Sequence, residues 1–229
     1  MTGIVSVHLA DLGVARTLRL QARGPKAGRI AGLRHADVGI AAPLTESVLP
    51  RPTPSRAGLL AFWDDRSSLD AFLADHPVAA AFAGGWRAVL EPVRVHGDWP
   101  GLDEGLPRAR RVQPEGPAVV LTLGRLRLSQ AVRFFKASAK AEAGVLSAPG
   151  LRWGSGLAKP PFVCTISAWE SDDALTAYAY GPEQHAHPGA LDEDRARPFH
   201  QRSAFVRFRP LEIVGSVAGS NPVAADVLG

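Results

Sequence analysis

The spacing of hydrophobic residues predicts strands and helices in alternation along the first half of the chain. Between residues 5 and 9 every second side chain is apolar, which is the period of a strand with one buried face. Residues 12–23 follow the helical period instead. Gly and Pro residues separate the later segments. The predicted elements are strands at 5–9, 30–40, 58–63 and 89–95, and helices at 12–23, around 69–72 and at 78–87.

A connector rich in Gly, Pro and Arg divides the chain into two parts. We place an N-terminal half at 1–98, a linker at 99–117, a C-terminal half at 118–215 and a tail at 216–229. Within the C-terminal half the pattern predicts a strand at 118–123, a helix at 128–146, a turn at 150–156, a strand at 162–169, a helix at 175–181, a histidine-bearing segment and a strand at 203–210.

The two halves repeat one another. Trp63 and Trp169 each end a predicted strand, and an acidic turn that contains Ser follows each of them. A Leu lies six residues after each Trp, and an aromatic residue, Phe72 or Tyr178, lies nine residues after it. Each copy is predicted as strand, helix, strand, helix, strand, which favours a sheet with helices on one face. A fused pair would close a barrel-like core with the helices outside, leaving space between sheet and helices for a large flat ligand.

Composition narrows the class of protein. The chain has 229 residues, 46% of them hydrophobic, and a net charge of +4 that comes mainly from Arg. A single Cys excludes a disulfide framework and a structural zinc site. With no apolar run of about 20 residues and no signal-like start, we expect a soluble, cytoplasmic protein. No nucleic-acid-binding signature occurs. Arg16, Arg19 and Arg23 form one stripe of the first helix, which either faces water or contacts a membrane surface peripherally.

An ordered set of motifs over most of residues 58–210 resembles the spheroidene monooxygenase family of carotenoid oxygenases. The set comprises His-Gly-Asp-Trp-Pro-Gly at 96–101, Arg-Leu-Ser at 127–129 before a helix with two Phe, Ser-Ala-Trp-Glu-Ser at 167–171, Ala-Tyr-Ala-Tyr-Gly at 177–181, a His with an Arg eight residues later, and Phe-Val-Arg-Phe at 205–208. The resemblance implies a dimeric α+β barrel, haem and O2-dependent oxidation of a carotenoid. The predicted fold class is therefore α+β, with duplicated ferredoxin-like modules forming a dimeric α+β barrel within one chain.

The resemblance also implies a haem ligand in the histidine-bearing segment. Counting back from the last strand places the family His at His187, with Arg195 eight residues later. If a helix starts near His187, both residues lie on one helix face, where they suit the iron and either a haem propionate or oxygen. Counting forward from residue 181 favours His185 as the ligand instead. A plain surface role for His187, with Arg195 paired to Asp192 or Asp194, is also compatible with the sequence.

Further side chains complete the predicted haem pocket. His200 is either a second polar group of the pocket or an exposed side chain. The aromatic residues Trp153, Phe162 and Trp169 either line a flat apolar slot or belong to the core. Cys164, in an apolar strand, is expected to be buried and inert.

These expectations combine into one leading function and two alternatives. The first is a haem-dependent monooxygenase or ketolase acting on a carotenoid or a similar apolar polyene delivered from the membrane. Its electrons come from an external donor, because no flavin or nicotinamide motif is present. The alternatives are a cofactor-free oxygenase of the α+β barrel type and a non-catalytic haem- or lipid-binding protein.

Overall fold

A computed structural model describes residues 3–44, 51–108, 116–180 and 198–217. Eight strands and five helices are described, with a 3-10 turn (Leu128–Gln130) before the fourth helix. The elements are β1 (Ile4–Asp11), α1 (Val14–Arg23), β2 (Leu33–Pro43), β3 (Arg56–Trp63), α2 (Arg66–Asp75), α3 (Pro77–Phe82), β4 (Trp86–Gly97), β5 (Ala118–Leu126), α4 (Ala131–Leu146), β6 (Leu151–Lys159), β7 (Phe162–Trp169), α5 (Asp172–Tyr180) and β8 (His200–Val214).

The eight strands close into one antiparallel barrel in the order β1-β3-β2-β6-β7-β5-β8-β4. The first half contributes β4-β1-β3-β2 and the second β8-β5-β7-β6, so the two halves have the same internal order. They join where β2 pairs with β6 and where β4 pairs with β8. Closure pairs the edge strands of both halves, which would otherwise expose unpaired backbone groups. The predicted duplicated α+β barrel is confirmed.

Matching aromatic contacts show that the sequence repeat is a structural repeat. Trp63 ends β3 and packs on Phe72 of α2, with ring centroids 4.9 Å apart. Trp169 ends β7 and packs on Tyr178 of α5 at 5.0 Å. The spacing of nine residues between Trp and aromatic partner therefore reflects one strand-to-helix contact made twice.

Two predictions of secondary structure are wrong. Residues 150–156, predicted as a turn, mostly belong to β6, which pairs with β2 and β7. Its Gly-Ser-Gly stretch gives no hydrophobic period, and its neighbours in the barrel hold it extended. The predicted helix at 78–87 stops at Phe82, since Gly84 and Gly85 precede β4. Each half is thus strand, helix, strand, strand, helix, strand, with α3 as an extra helix in the first half.

The apolar core lies in layers inside and outside the barrel. Alternate residues such as Val119, Leu121 and Leu123 of β5 fill the barrel interior. On the outside, α1, α2 and α3 cover the first half of the sheet through a second cluster. In α1 the buried residues are Thr17 and Leu20, so the apolar residues beside the arginine stripe point outward. In the described part of the chain, no helix has the length and hydropathy needed to cross a bilayer.

Candidate functional site

Part of the helix-facing surface of the second-half sheet is open among the described residues. Thr122 of β5 lies between Thr165 of β7 and Phe205 of β8, and its side chain is exposed although its strand is central in its half. The equivalent first-half residue, His8, lies between Leu59 and Arg87 and is only 2% exposed. The same layer is therefore filled in the first half and open in the second.

Small residues surround this opening. We use the name Thr122 patch for Thr122, Gly124, Gly156 and Thr165, which lie on adjacent strands and face the helices. The glycines add no side chains to the layer above the sheet. A Cβ at Gly156 would have its nearest neighbour, Ala42 O, at 3.5 Å. The patch is consequently flat and polar, in contrast to the apolar layer under α2 and α3.

Described residues of α4 pack into two separate apolar clusters. Phe134, in its first turn, and Ala137, near its middle, join a cluster with Leu126 and Phe199. Near its end, Val145 packs against a separate cluster that contains Trp169 and Tyr178. Among the described residues these two clusters do not merge. The patch lies between them, so the elements of the second half frame a space between sheet and helix.

A buried ion pair lies at one end of this space. Arg207 of β8 is 2% exposed, and its Nη1 lies 2.6 Å from Oδ1 of Asp172, at the start of α5. Burial raises the pKa of the Asp172 carboxyl, while the neighbouring guanidinium opposes that shift. The Nε of Arg207 has no hydrogen-bond partner among the described residues. Arg94, also buried, is its cross-strand neighbour.

The ion pair is a feature of the second half alone. The first-half residue at the Arg207 position is Val89, which is fully buried in the apolar cluster under the helices. Ordering and desolvating a guanidinium is costly unless something compensates for it. The Arg207 guanidinium, whose Nε has no partner among the described residues, can therefore donate to a further anionic group at this end of the space.

His200 lies at the other end. Its half-buried ring covers Gly124, where an added Cβ would lie 2.5 Å from the ring Cδ2 and 2.6 Å from Nε2. The ring also makes an edge contact with Phe134 of α4, with centroids 5.2 Å apart. Gly124 and Val120, the residue beside Arg207, are four positions apart on β5, or roughly 13 Å. A group about as wide as a macrocycle would therefore reach both ends.

The predicted site residues have different outcomes. His185, His187 and Arg195 lie outside the described residues. Trp153 faces the barrel interior and packs on Trp86 at 5.3 Å. Trp169 lies on the opposite face of the sheet, where its Nε1 donates to Ser167 Oγ at 3.0 Å.

The structure also places Phe162 and Cys164, the remaining aromatic residue and the thiol, in the barrel interior. Phe162 belongs to the barrel interior, so the three predicted aromatic residues do not share a slot. Cys164 is buried in the same interior cluster, and burial raises the pKa of its thiol, as expected of an inert side chain.

Sequence reasoning missed Arg207, Asp172 and the Thr122 patch. Arg207 stands in an apolar strand between Val206 and Phe208, both of which face the barrel interior. An Arg in the middle of such a strand was the available signal, because a buried charge needs a partner. Asp172 could not be matched to it from the sequence, since the two are 35 residues apart.

No protein-family model matches the chain. Spheroidene monooxygenase of Rubrivivax gelatinosus is 32% identical to it over 173 residues, or 72% of this chain and 64% of the relative. The chain belongs to the spheroidene monooxygenase family. A second member, spheroidene monooxygenase of Rhodobacter capsulatus, is 26% identical over 194 residues, which cover 80% of this chain and 78% of the relative. The alignment with the first relative thus leaves about a third of that protein's length unmatched.

Comparison with a solved structure supports the fold of this chain independently. The crystal structure of an aldoxime dehydratase in complex with butyraldoxime aligns over 96% of this chain and 85% of its own, with a TM-score of 0.55. The sequence identity is 9%, so the comparison bears on architecture alone.

Proposed function

We propose that this chain is an O2-dependent monooxygenase that oxidises a carotenoid or a similar apolar polyene, with haem held over the Thr122 patch. The proposal is carried by the family relationship to two spheroidene monooxygenases together with the exposed position of Thr122, whose first-half equivalent, His8, is buried. In such a reaction one oxygen atom enters the substrate, and the other leaves as water after electrons and protons arrive from an external donor.

The described residues fit a flat anionic cofactor. The Thr122 patch offers small side chains beneath it, and Arg207 offers a buried Nε without a described partner. That guanidinium suits a propionate, since Arg binds carboxylates through directed N–H groups. His187 is proposed to be the residue that would hold the haem iron, with His185 as the alternative, and Arg195 is proposed to contact a propionate or oxygen. Bound there, haem would supply the oxygen chemistry.

The remaining roles belong to the protein's own side chains. His200 closes that end of the space with its ring beside Gly124. Phe134 and Phe205, both half-buried, give an apolar surface on which a polyene can lie. Asp172 holds Arg207 in place through the ion pair. Together these groups orient an apolar substrate while limiting the access of water.

The decisive experiment is the absorption spectrum of the full chain after reconstitution with haem. A Soret band is expected, and His187→Ala is expected to abolish it while His185→Ala leaves it. Thr122→Trp fills the patch and is expected to weaken haem binding at least tenfold. Ala22→Trp, on the exposed side of α1, adds the same bulk elsewhere and serves as the matched control.

Product analysis separates the proposed activity from the alternatives. Cells that accumulate an acyclic carotenoid are expected to yield its oxygenated product when they express the chain, and none with His187→Ala. Oxidation by a chain that never binds haem would favour a cofactor-free oxygenase. Haem binding without any oxidised product would favour a carrier.

A further inference from the structure

Two exposed apolar side chains stand at the start of α4. Leu128 is 65% exposed and Val132 is 69% exposed, the highest values among the large hydrophobic residues in the described part of the chain. Leu128 lies in the 3-10 turn and Val132 in the first turn of α4, so the two exposed side chains are close together along the chain. An apolar pair in this position does not contribute to the core, which α4 contacts through Phe134 and Ala137.

Basic residues surround this pair. Arg127 precedes Leu128, and Lys136 follows Val132 by one helical turn; both are exposed. Lys159, at the end of β6, is exposed as well. None of the three lies within 4.0 Å of a carboxylate in the described part of the chain. Their charges are therefore not neutralised by described neighbours, in a chain with a net charge of +4.

Backbone contacts place these residues together at one end of the barrel. The amide of Leu126 donates to Pro161 O at 2.7 Å, which fixes the β6–β7 turn beside the start of α4. On the other side of the turn, Lys159 Nζ donates to Gln21 O in the last turn of α1 at 2.5 Å. We use the name basic rim for the resulting surface, which comprises Arg127, Leu128, Val132, Lys136, Lys159 and Pro160.

We propose that the basic rim docks the protein onto an anionic membrane surface. Apolar side chains flanked by Lys and Arg are the pattern with which helices bind at a bilayer interface, where the apolar groups enter the acyl boundary and the charges meet lipid headgroups. Phe134 and His200, at one end of the open layer, adjoin the same helix start. A membrane-borne apolar ligand would thus reach the layer from the docked side.

This surface differs from the one that the sequence predicts. Arg16, Arg19 and Arg23 of α1 lie beside the exposed Leu18 and form the competing surface. Docking by the basic rim is independent of haem and of the proposed reaction, and the test reads membrane binding alone.

The test is co-sedimentation of the full chain with phosphatidylcholine vesicles, with and without phosphatidylserine. The chain is expected to bind the anionic vesicles and to be released by high salt. Lys159→Gln and Lys136→Gln are each expected to weaken binding about fivefold. Leu128→Ser combined with Val132→Ser is expected to weaken it at least tenfold, because both side chains leave the acyl boundary. All four residues are exposed, so circular dichroism should be unchanged.

The matched controls lie on α1. Leu18→Ser and Arg16→Gln remove similar groups from the competing surface and are expected to leave vesicle binding within twofold. Equal binding to both kinds of vesicle, or loss of binding only with the α1 variants, would overturn the proposal. It would also be overturned if the chain failed to bind vesicles and the rim variants instead changed a self-association measured by ultracentrifugation.

Discussion

At the scale of single residues, His8 and Thr122 occupy equivalent positions in the two halves but have different surroundings. His8 is enclosed by Phe82, with ring centroids 5.6 Å apart, and by Phe72 at 6.4 Å, and its Nε2 lies 3.0 Å from Ser6 Oγ. Thr122, in the same place in the second half, is exposed. One repeat therefore uses this position to fill a core, and the other leaves it open.

Burial of His8 makes stability depend on pH. Desolvation, aided by the positive charge of Arg87, lowers the pKa of His8 from 6.5 to about 3. Between these two values the unfolded chain binds a proton that the folded chain does not. The contribution of neutral His8 to the free energy of unfolding is thus fully present above about pH 6.5. Below that pH the free energy of unfolding is expected to fall by up to about 1.4 kcal/mol per pH unit.

Urea unfolding at several pH values between 4.5 and 7 measures this slope. His8→Gln keeps a hydrogen-bonding group without a titrating ring, so its slope should be much smaller than that of the parent. His96→Gln, at an exposed position, should behave like the parent. Equal slopes in the parent and His8→Gln would show that the acid sensitivity arises elsewhere.

At the scale of elements, one strand-to-helix junction occurs twice. The amide of Asp64 donates to Gly32 O at 2.8 Å, and that of Glu170 donates to Gly150 O at 2.9 Å. Both glycines have positive φ, 68° and 80°. Each is followed by Leu and Arg, and the arginines pair with Asp64 at 2.6 Å and with Glu170 at 3.2 Å. The Gly-Leu-Arg tripeptide thus records a conserved junction within the chain.

Substitution of the two glycines tests that equivalence. A Cβ at Gly32 would lie 2.0 Å from Ser68 Oγ, and one at Gly150 would lie 2.5 Å from Ala174 Cβ. Gly32→Ala and Gly150→Ala are each expected to lower the free energy of unfolding by about 2–3 kcal/mol, because both the backbone and the contact are strained. Thermal and urea unfolding measure the loss.

Two other glycines separate these causes. Gly28 has a φ of 79° but open space around it, so Gly28→Ala should cost only the backbone strain, about 1 kcal/mol. Gly84 has open space and no positive φ, so Gly84→Ala should change stability little. A loss at Gly32 no larger than that at Gly28 would show that the contact with α2 is unimportant.

At the scale of the whole molecule, closure gives the two halves one shared core, so we expect them to unfold as one cooperative unit. The interior cluster contains residues of both halves, and Phe208 of β8 pairs with Pro92 of the first half and Val119 of the second. The predicted boundaries at 98 and 118 therefore separate two sequence repeats that share one core. The boundaries themselves stay a prediction.

Removal of one interior side chain should weaken both halves alike. Phe208 is fully buried, so Phe208→Ala is expected to lower the free energy of unfolding by about 3–5 kcal/mol. Hydrogen exchange should show the same loss of protection for amides of β3, in the first half, as for those of β7, in the second. A loss confined to β5, β7 and β8 would mean that the halves unfold separately.

The sequence by itself determined the family, the duplication and most elements. These depend on local signals: the motif order, the Trp and aromatic spacing in each half, and the period of apolar residues. The sequence did not determine which strands pair with one another across the barrel. The stretch Gly154–Ser155–Gly156 becomes a strand only because β2 and β7 hydrogen-bond to it on both sides.

The candidate site likewise has residues inferred from the sequence and residues that only the tertiary structure identified. His187, His185 and Arg195 came from the resemblance and remain predictions. Tertiary structure alone placed Trp153 and Trp169 on opposite faces of the sheet and brought Arg207 to Asp172. The open layer above Thr122 is likewise a tertiary property, because whether a side chain on a sheet is covered depends on where distant helices pack. Sequence periods specify the face of a strand, and only the assembled barrel decides what lies against that face.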